Sequence, residues 1–256
     1  MSFKKIWMFT ILSLVATSFI ATHGALAADK TPKLRMGLGG AASSRLYKDL
    51  EDDKRYLPMP LLFGDYGPVF IEGISAGIRA INTDRLKMEF MVSRGVNGYK
   101  PSDSPVLEGM EERKEGIDGG ARITYWSDYG GIMIRGLADI GHTHDGEEAT
   151  LKYMVPIKTQ WLTLVPAIGG TWRSADKVNY YFGVRENESR EGRPAYKASS
   201  DISGFIALEM TLPITQSISM VGGGKAEYLG DQVHNSPIVN EDFLVSTYLG
   251  VVLTIM

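Results

Sequence analysis

The chain of 256 residues contains no cysteine. That excludes a disulfide framework, thiol catalysis and anchoring through an acylated N-terminal cysteine. Histidine is scarce too: there are four, and His23 lies in the leader described below. No G-x-S-x-G elbow, H-E-x-x-H motif or phosphate-binding glycine loop is recognised, and no spacing singles out a nucleophile and its base. No enzyme activity and no cofactor are expected. Basic residues do not dominate: 27 Lys and Arg against 30 Asp and Glu leave −3, which gives no support for nucleic-acid binding. After the leader no apolar run of about twenty residues occurs, so no spanning helix is available. Any membrane role belongs to strands.

The N-terminus carries Lys4 and Lys5, an apolar run from Ile6 to Ile20, and Ala25-Leu26-Ala27. A basic start, a short apolar core and an A-x-A end describe a secretory signal peptide over residues 1–27, cleaved after Ala27. Residues 28–256 form the mature domain, with a formal charge of −5 once Lys4 and Lys5 are gone.

What the chain does have is alternation. In Arg85–Ser93, Leu86, Met88, Phe90 and Val92 point one way, and Arg85, Lys87, Glu89 and Ser93 the other. A period of two belongs to a strand with one apolar and one polar face. Segments of this kind run over Leu34–Ala42, Pro58–Asp65, Val69–Ile81, Arg85–Arg94, Ile117–Trp126, Gly130–Gly141, Glu148–Ile157, Trp161–Trp172, Ser200–Leu212, Ser217–Leu229 and Asp242–Ile255. Many approach ten residues, the length a tilted strand needs to cross a bilayer. The connections at 127–128, 158–159 and 213–216 are tight. Those at 95–116, 142–147, 173–199 and 230–241 are longer and more polar, as in outer-membrane barrels. Eleven segments conflict with the even number such barrels have. The stretch 56–81 is the place to look for a missing strand, since Pro58 and Pro60 suit a strand start or an edge. The reading is a transmembrane antiparallel up-and-down β-barrel of ten to twelve strands, twelve favoured.

A soluble sandwich or lipocalin-like barrel would show the same alternation. Segment length and aromatic residues near segment ends (Tyr125, Trp126, Tyr129, Trp161, Trp172 and Tyr228) favour the membrane form, whose interfaces carry such girdles. The polar faces then line the lumen with Arg79, Lys87, Glu89, Arg122, Arg135, Asp139, Lys152, Glu209, Lys225 and Glu227. Mixed signs in a narrow barrel point to a lumen closed by paired side chains rather than a wide channel.

Two loops draw attention. His142, His144 and Asp145 could contribute to a divalent-metal site, yet no third imidazole is near, and a solvated acidic loop is the expectation. Residues 173–199 are too long for a plain connector. Their Tyr180, Tyr181, Arg185, Glu188, Arg193 and Tyr196 are the candidates for a plug or a binding surface.

Six short stretches carry a family likeness. They are Leu57-Pro58-Met59-Pro60-Leu61 with Asp65-Tyr66; Gly73-Ile74-Ser75-Ala76-Gly77; Leu107-Glu108-Gly109-Met110-Glu111-Glu112-Arg113; Tyr180-Tyr181-Phe182-Gly183-Val184; Glu188-Ser189 with Gly192-Arg193-Pro194-Ala195-Tyr196; and Asn235-Ser236-Pro237-Ile238-Val239. In their order and spacing the chain resembles the MipA/OmpV family of outer-membrane proteins. The resemblance implies a barrel that scaffolds peptidoglycan-remodelling enzymes, a lytic transglycosylase and a penicillin-binding protein. A small-solute transport or binding barrel and a surface-exposed adhesin are the alternatives. The chain departs from the family in carrying Asn235 where Asp is usual, and in ending on Met256 rather than an aromatic residue.

Overall fold

A computed structural model describes residues 33–44, 46–49, 57–95 and 97–255. The leader, its cleavage site, residues 28–32 and Met256 lie outside the described residues.

Thirteen strands close into one antiparallel ring. They are β1 (Lys33–Ser43), β2 (Leu57–Tyr66), β3 (Val69–Glu72), β4 (Ser75–Asn82), β5 (Leu86–Arg94), β6 (Ile117–Ser127), β7 (Gly130–Asp139), β8 (Glu147–Met154), β9 (Ile157–Lys158), β10 (Thr163–Arg173), β11 (Asp201–Pro213), β12 (Ile218–Tyr228) and β13 (Phe243–Thr254). The ring closes where β1 pairs with β13, from Arg35↔Thr254 to Ser43↔Ser246. β8 and β9 both pair with β10 and form one wall strand, interrupted at Val155-Pro156, where proline cannot donate to a ladder. The wall therefore has twelve strands.

The segment Val69–Ile81 is two strands rather than one. β3 and β4 fold back on each other at Gly73-Ile74, with Gly73 at φ 60°. A two-residue hairpin takes a glycine at that first position. The inward face switches from Phe70 and Glu72 to Ser75, Gly77 and Arg79 across the turn, but the apolar Ile74 within it masks the switch, and the sequence pattern reads as a single strand. Pro58 and Pro60 are explained by the same hairpin. β3 pairs with β2 only from Phe63 to Tyr66, so the rest of β2 stands above it as an edge. The Leu62 carbonyl accepts from Gly73 across this edge, and by the period of two the backbones of Pro60 and Pro58 face the same way. Their missing N–H groups cost no ladder bond.

Both described ends of the chain lie at one end of the barrel. The tight turns at 67–68, 83–85, 128–129, 159–162 and 214–217 share that end. The opposite end carries 44, 46–49, 95, 97–116, 140–146, 174–200 and 229–242, together with the short hairpin tip at Gly73-Ile74. Short turns inside and long loops outside set the orientation. The outward face is apolar: Leu38, Ile134, Ile202, Ile206 and Leu249 are all more than half exposed. Such a belt would be a liability in water and is the surface hydrocarbon requires. Charged side chains of the wall turn inward instead, which rules out the soluble barrel, where the arrangement is reversed. Tyr66, Tyr129 and Trp161 ring the lower rim, and Tyr228 packs edge-on against Phe243 near the upper one. Trp126 does not join the girdle; it points inward and packs with Met133, Met154 and Val165 at the lower mouth.

A lipid-facing test follows. Leu249→Arg, near the middle of β13, is expected to destabilise the folded barrel by about 2–4 kcal/mol in urea titrations in lipid vesicles. A loss below about 1 kcal/mol would mean that this face does not lie at the bilayer midplane.

Candidate functional site

Two groups of charges fill the lumen. In the first, Arg122 bridges Glu72 at 2.9 Å and Glu89 at 2.5 Å. Arg79 reaches the second Glu89 oxygen at 2.9 Å and also binds Asp65. Both guanidinium groups sit over the Phe70 ring, at 4.9 and 5.5 Å from its centroid. In the second group, Glu227 holds Arg173 at 2.7 Å and Lys225 at 2.6 Å. Glu148 holds Arg135 at 2.9 Å and lies 3.7 Å from Arg173. Lys152 and Glu209, both buried, attract each other within the same interior. Lys87 is half-buried low on β5, in the field of Arg79 and Glu89.

A water-filled bore would leave its lining accessible. Here Met154, Ser203 and Val221 are wholly excluded and Arg122, Glu209 and Glu227 nearly so. Another side of the lumen is packed by Leu61, Phe63, Val221, Tyr248 and Val252, with the Arg35 guanidinium over the Phe63 ring at 5.2 Å. The sequence reading missed Asp65, Glu72, Glu148 and Arg173 as members of these groups. Two of them fall in the stretch where β3 went unrecognised.

The outer loops form a cap with its own core. Helix α1 (Ala175–Phe182) and the short helix α2 (Asp231–His234) contribute Val178, Tyr181, Phe182 and Val233. Tyr47, Tyr99, Leu107, Met110 and Ile238 come from the other loops. At the centre Arg113 places one guanidinium nitrogen between both Glu188 oxygens, at 2.8 and 2.7 Å. It also donates to the carbonyls of Tyr180 and Glu111. Glu188 accepts from the backbone amides of Glu111 and Arg185 as well. Arg193 ties the same two loops through the carbonyls of Val106, Glu108 and Glu188. Ser236 donates to the Phe182 carbonyl and Tyr196 to that of Gln232, which adds the loop at 229–242. Burial would raise the Glu188 carboxyl, but the Arg113 guanidinium and the two amides outweigh it and hold it below the usual carboxylate value.

The long-loop candidates therefore divide. Tyr181, Glu188 and Arg193 are buried and do not belong to a binding surface; they are the pieces that close the cap. Arg185 is exposed and Tyr180 and Tyr196 half-exposed. These three line an outward groove of about 710 Å3 beside His144, Asp176 and Lys197.

The histidine loop separates as well. His142 and Asp145 are exposed and contact each other at 3.2 Å. His144 turns inward, with Nε2 3.0 Å from Asp118 and Nδ1 accepting from the Gly146 amide. Asp139 does not brace the lumen; its carboxylate accepts the amides of Gly141, Thr143, His144 and Asp145 and shapes the loop. Asp118, Asp139 and His144 are close enough to ligate a cation. However, Lys177 of α1 already lies 2.8 Å from Asp118, and both His144 nitrogens are engaged. The cluster is a clasp between cap and wall. Gly73-Ile74-Ser75-Ala76-Gly77 also spells the G-x-S-x-G of acyl-transfer elbows, a match the sequence reading overlooked. Such an elbow needs a strand-to-helix turn. Here the segment is a β-hairpin, and the Ser75 hydroxyl is buried against that of Ser93 at 2.9 Å.

Comparison with known proteins adds the following. The family model described as MltA-interacting protein MipA matches residues 36–255. The chain is 28% identical to outer membrane protein Omp26La of Vibrio anguillarum, covering 92% of this chain and 93% of that one. It is 28% identical to outer membrane protein OmpV of Vibrio cholerae, covering 93% and 94%. It is 25% identical to the MltA-interacting protein of Escherichia coli, covering 93% and 97%. Among solved structures, the COG4313 outer membrane channel of Pseudomonas putida aligns at 10% identity and a TM-score of 0.44, over 89% of this chain and 98% of that one.

Breaking the central cap pair has a defined expectation. Glu188→Gln or Arg113→Met removes one partner of a buried ion pair, which costs about 3–5 kcal/mol. The barrel should still migrate as a folded species on unheated gels while external protease gains access to the cap. The double variant Arg113→Met/Glu188→Leu should recover part of that protection. Acid should act in the same direction. The Glu188 carboxyl lies lower in the folded protein than in the unfolded chain, where it is about 4.3. Its contribution is present above that value and is lost as pH falls through the folded one. Protease access that stays flat from pH 7 to 3 would contradict the role given to Glu188.

Proposed function

The chain belongs to the MltA-interacting protein MipA family and is a β-barrel of the outer membrane; on that premise we propose that it is a non-catalytic scaffold for peptidoglycan-remodelling enzymes. A lytic transglycosylase is the first expected partner and a penicillin-binding protein the second. The observation that carries this reading is the packed lumen beneath a closed cap, which leaves the protein only its surfaces to work with. Solute transport is disfavoured for the same reason. The face available to periplasmic enzymes is made of the tight turns, where Asp84, Arg85, Asp128, Lys158 and Gln160 are exposed. The name of the Escherichia coli relative supports a partner of this kind.

One observation favours a second reading, a surface-binding protein: the outward groove lined by Tyr180, Arg185 and Tyr196. The two readings put the working surface at opposite ends of the barrel, so one experiment separates them. The mature barrel, immobilised in detergent, is exposed to solubilised envelopes and washed with moderate salt. Retention of a lytic transglycosylase, and its loss when the turns at 83–85 and 128–129 are replaced by Gly-Ser linkers, is the expected result. Retention unaffected by those replacements, or no enzyme retained, would overturn the scaffold reading. Arg185→Ala with Lys197→Ala should leave enzyme capture intact and lower only binding at the cell surface.

A further inference from the structure

The wall is not equally tall all round. β3 has four residues, and the β3–β4 hairpin turns back at Gly73-Ile74 while β2 continues upward to Leu57. Above Leu62 no described residue pairs with β2 on this side. The tip is thus the floor of a notch that opens sideways through the outward face. A cavity of about 580 Å3 borders the tip on its β5 side, lined by Ile71, Ile74, Ala76, Val92 and Ile117 and roofed by residues 112–116; β2 does not line it. It is continuous with the lipid-facing residues Ile78 and Phe90 below. Its upper rim carries Arg94, 58% exposed and 2.5 Å from Glu115, together with exposed Lys114 and exposed Glu112.

We propose that this notch is a binding site for one acyl chain of an anionic membrane lipid in the leaflet on the loop side, with its phosphate headgroup at Arg94 and Lys114. Three observations lead there. Below the charged rim the lining is aliphatic, the cavity opens toward hydrocarbon, and a void of that size facing lipid gains contacts when a chain enters it. The rim places cations at headgroup height, where each attracts anionic lipid. A protein strand is the other occupant an unpaired edge invites. Pro58 and Pro60 turn their nitrogens to that edge, so an added strand would find carbonyls and no donors at alternate positions. Ile74 also packs against the lumen cluster of Leu61, Phe63 and Tyr248. A lipid chain in the notch would therefore touch the packed interior as well as the wall.

The test uses the full mature barrel in phosphatidylethanolamine vesicles doped with phosphatidylglycerol bearing a diazirine in the part of one tail next to its ester. After illumination, cross-links are mapped by peptide mass spectrometry. Labelling is expected to concentrate on residues 71–76 and 92–94, several-fold above the outward faces of β11 and β13. Ala76→Trp or Val92→Trp should fill the cavity and bring that labelling down to the level of the rest of the wall. Ile206→Trp, on the far side, should leave it unchanged. Arg94→Gln with Lys114→Gln should lower labelling by about fivefold for each cation removed, and should not lower labelling by a zwitterionic diazirine lipid. Even labelling around the barrel, or labelling of 71–76 that persists in both tryptophan variants with the folded gel mobility retained, would overturn the proposal. Equal effects of the glutamine pair on both lipids would overturn the headgroup assignment.

Discussion

Closure of the ring in a bilayer decides where every charge goes. With the apolar row of each strand facing hydrocarbon, the alternate row has only the interior, and a charge enclosed there must find a partner. Arg122 between Glu72 and Glu89, and Glu227 between Arg173 and Lys225, are the consequence. Apart from Lys225–Glu227, both on β12, these pairs join residues from different strands, so they brace the barrel as well as neutralising it. A lumen satisfied in this way has little room for water, and its loss as a conduit follows from the demand that made it.

The cap repeats the same logic without lipid. Arg113, Glu188 and Arg193 are buried among the loops and spend their hydrogen-bonding groups on backbone carbonyls and amides that a loop cannot satisfy by itself. Lys177 then fastens α1 to Asp118 of the wall at 2.8 Å, with Glu148 at 3.5 Å. Cap and barrel are in this way one electrostatic structure. The residues that carry the family likeness in the outer loops, from Leu107–Arg113 to Asn235–Val239, build this cap.

The strands were legible because alternation is local: a face can be read from four or five consecutive residues. The hairpin inside Val69–Ile81 was not, because its two-residue turn carries an apolar Ile74 and only a one-residue change of phase marks it. Glu188 and Arg193 read as surface residues because charge in a long loop is usually solvated. Only Arg113, 75 residues earlier than Glu188, reveals that they are buried. His144 and Asp118 meet through pairing that brings β6 beside β7, a relation that spacing along the chain does not show. Local pattern therefore gave the wall, and the contacts that close it depend on register.

The central claim is that the interior is packed rather than open. Single-channel recording of the purified mature barrel in planar bilayers tests it most directly, in dilute and in molar potassium chloride. The account predicts insertion without steady current at either concentration, since the lumen side chains leave no continuous water path. A stable, ion-selective conductance that scales with salt would contradict it and would make the lumen charges a selectivity filter.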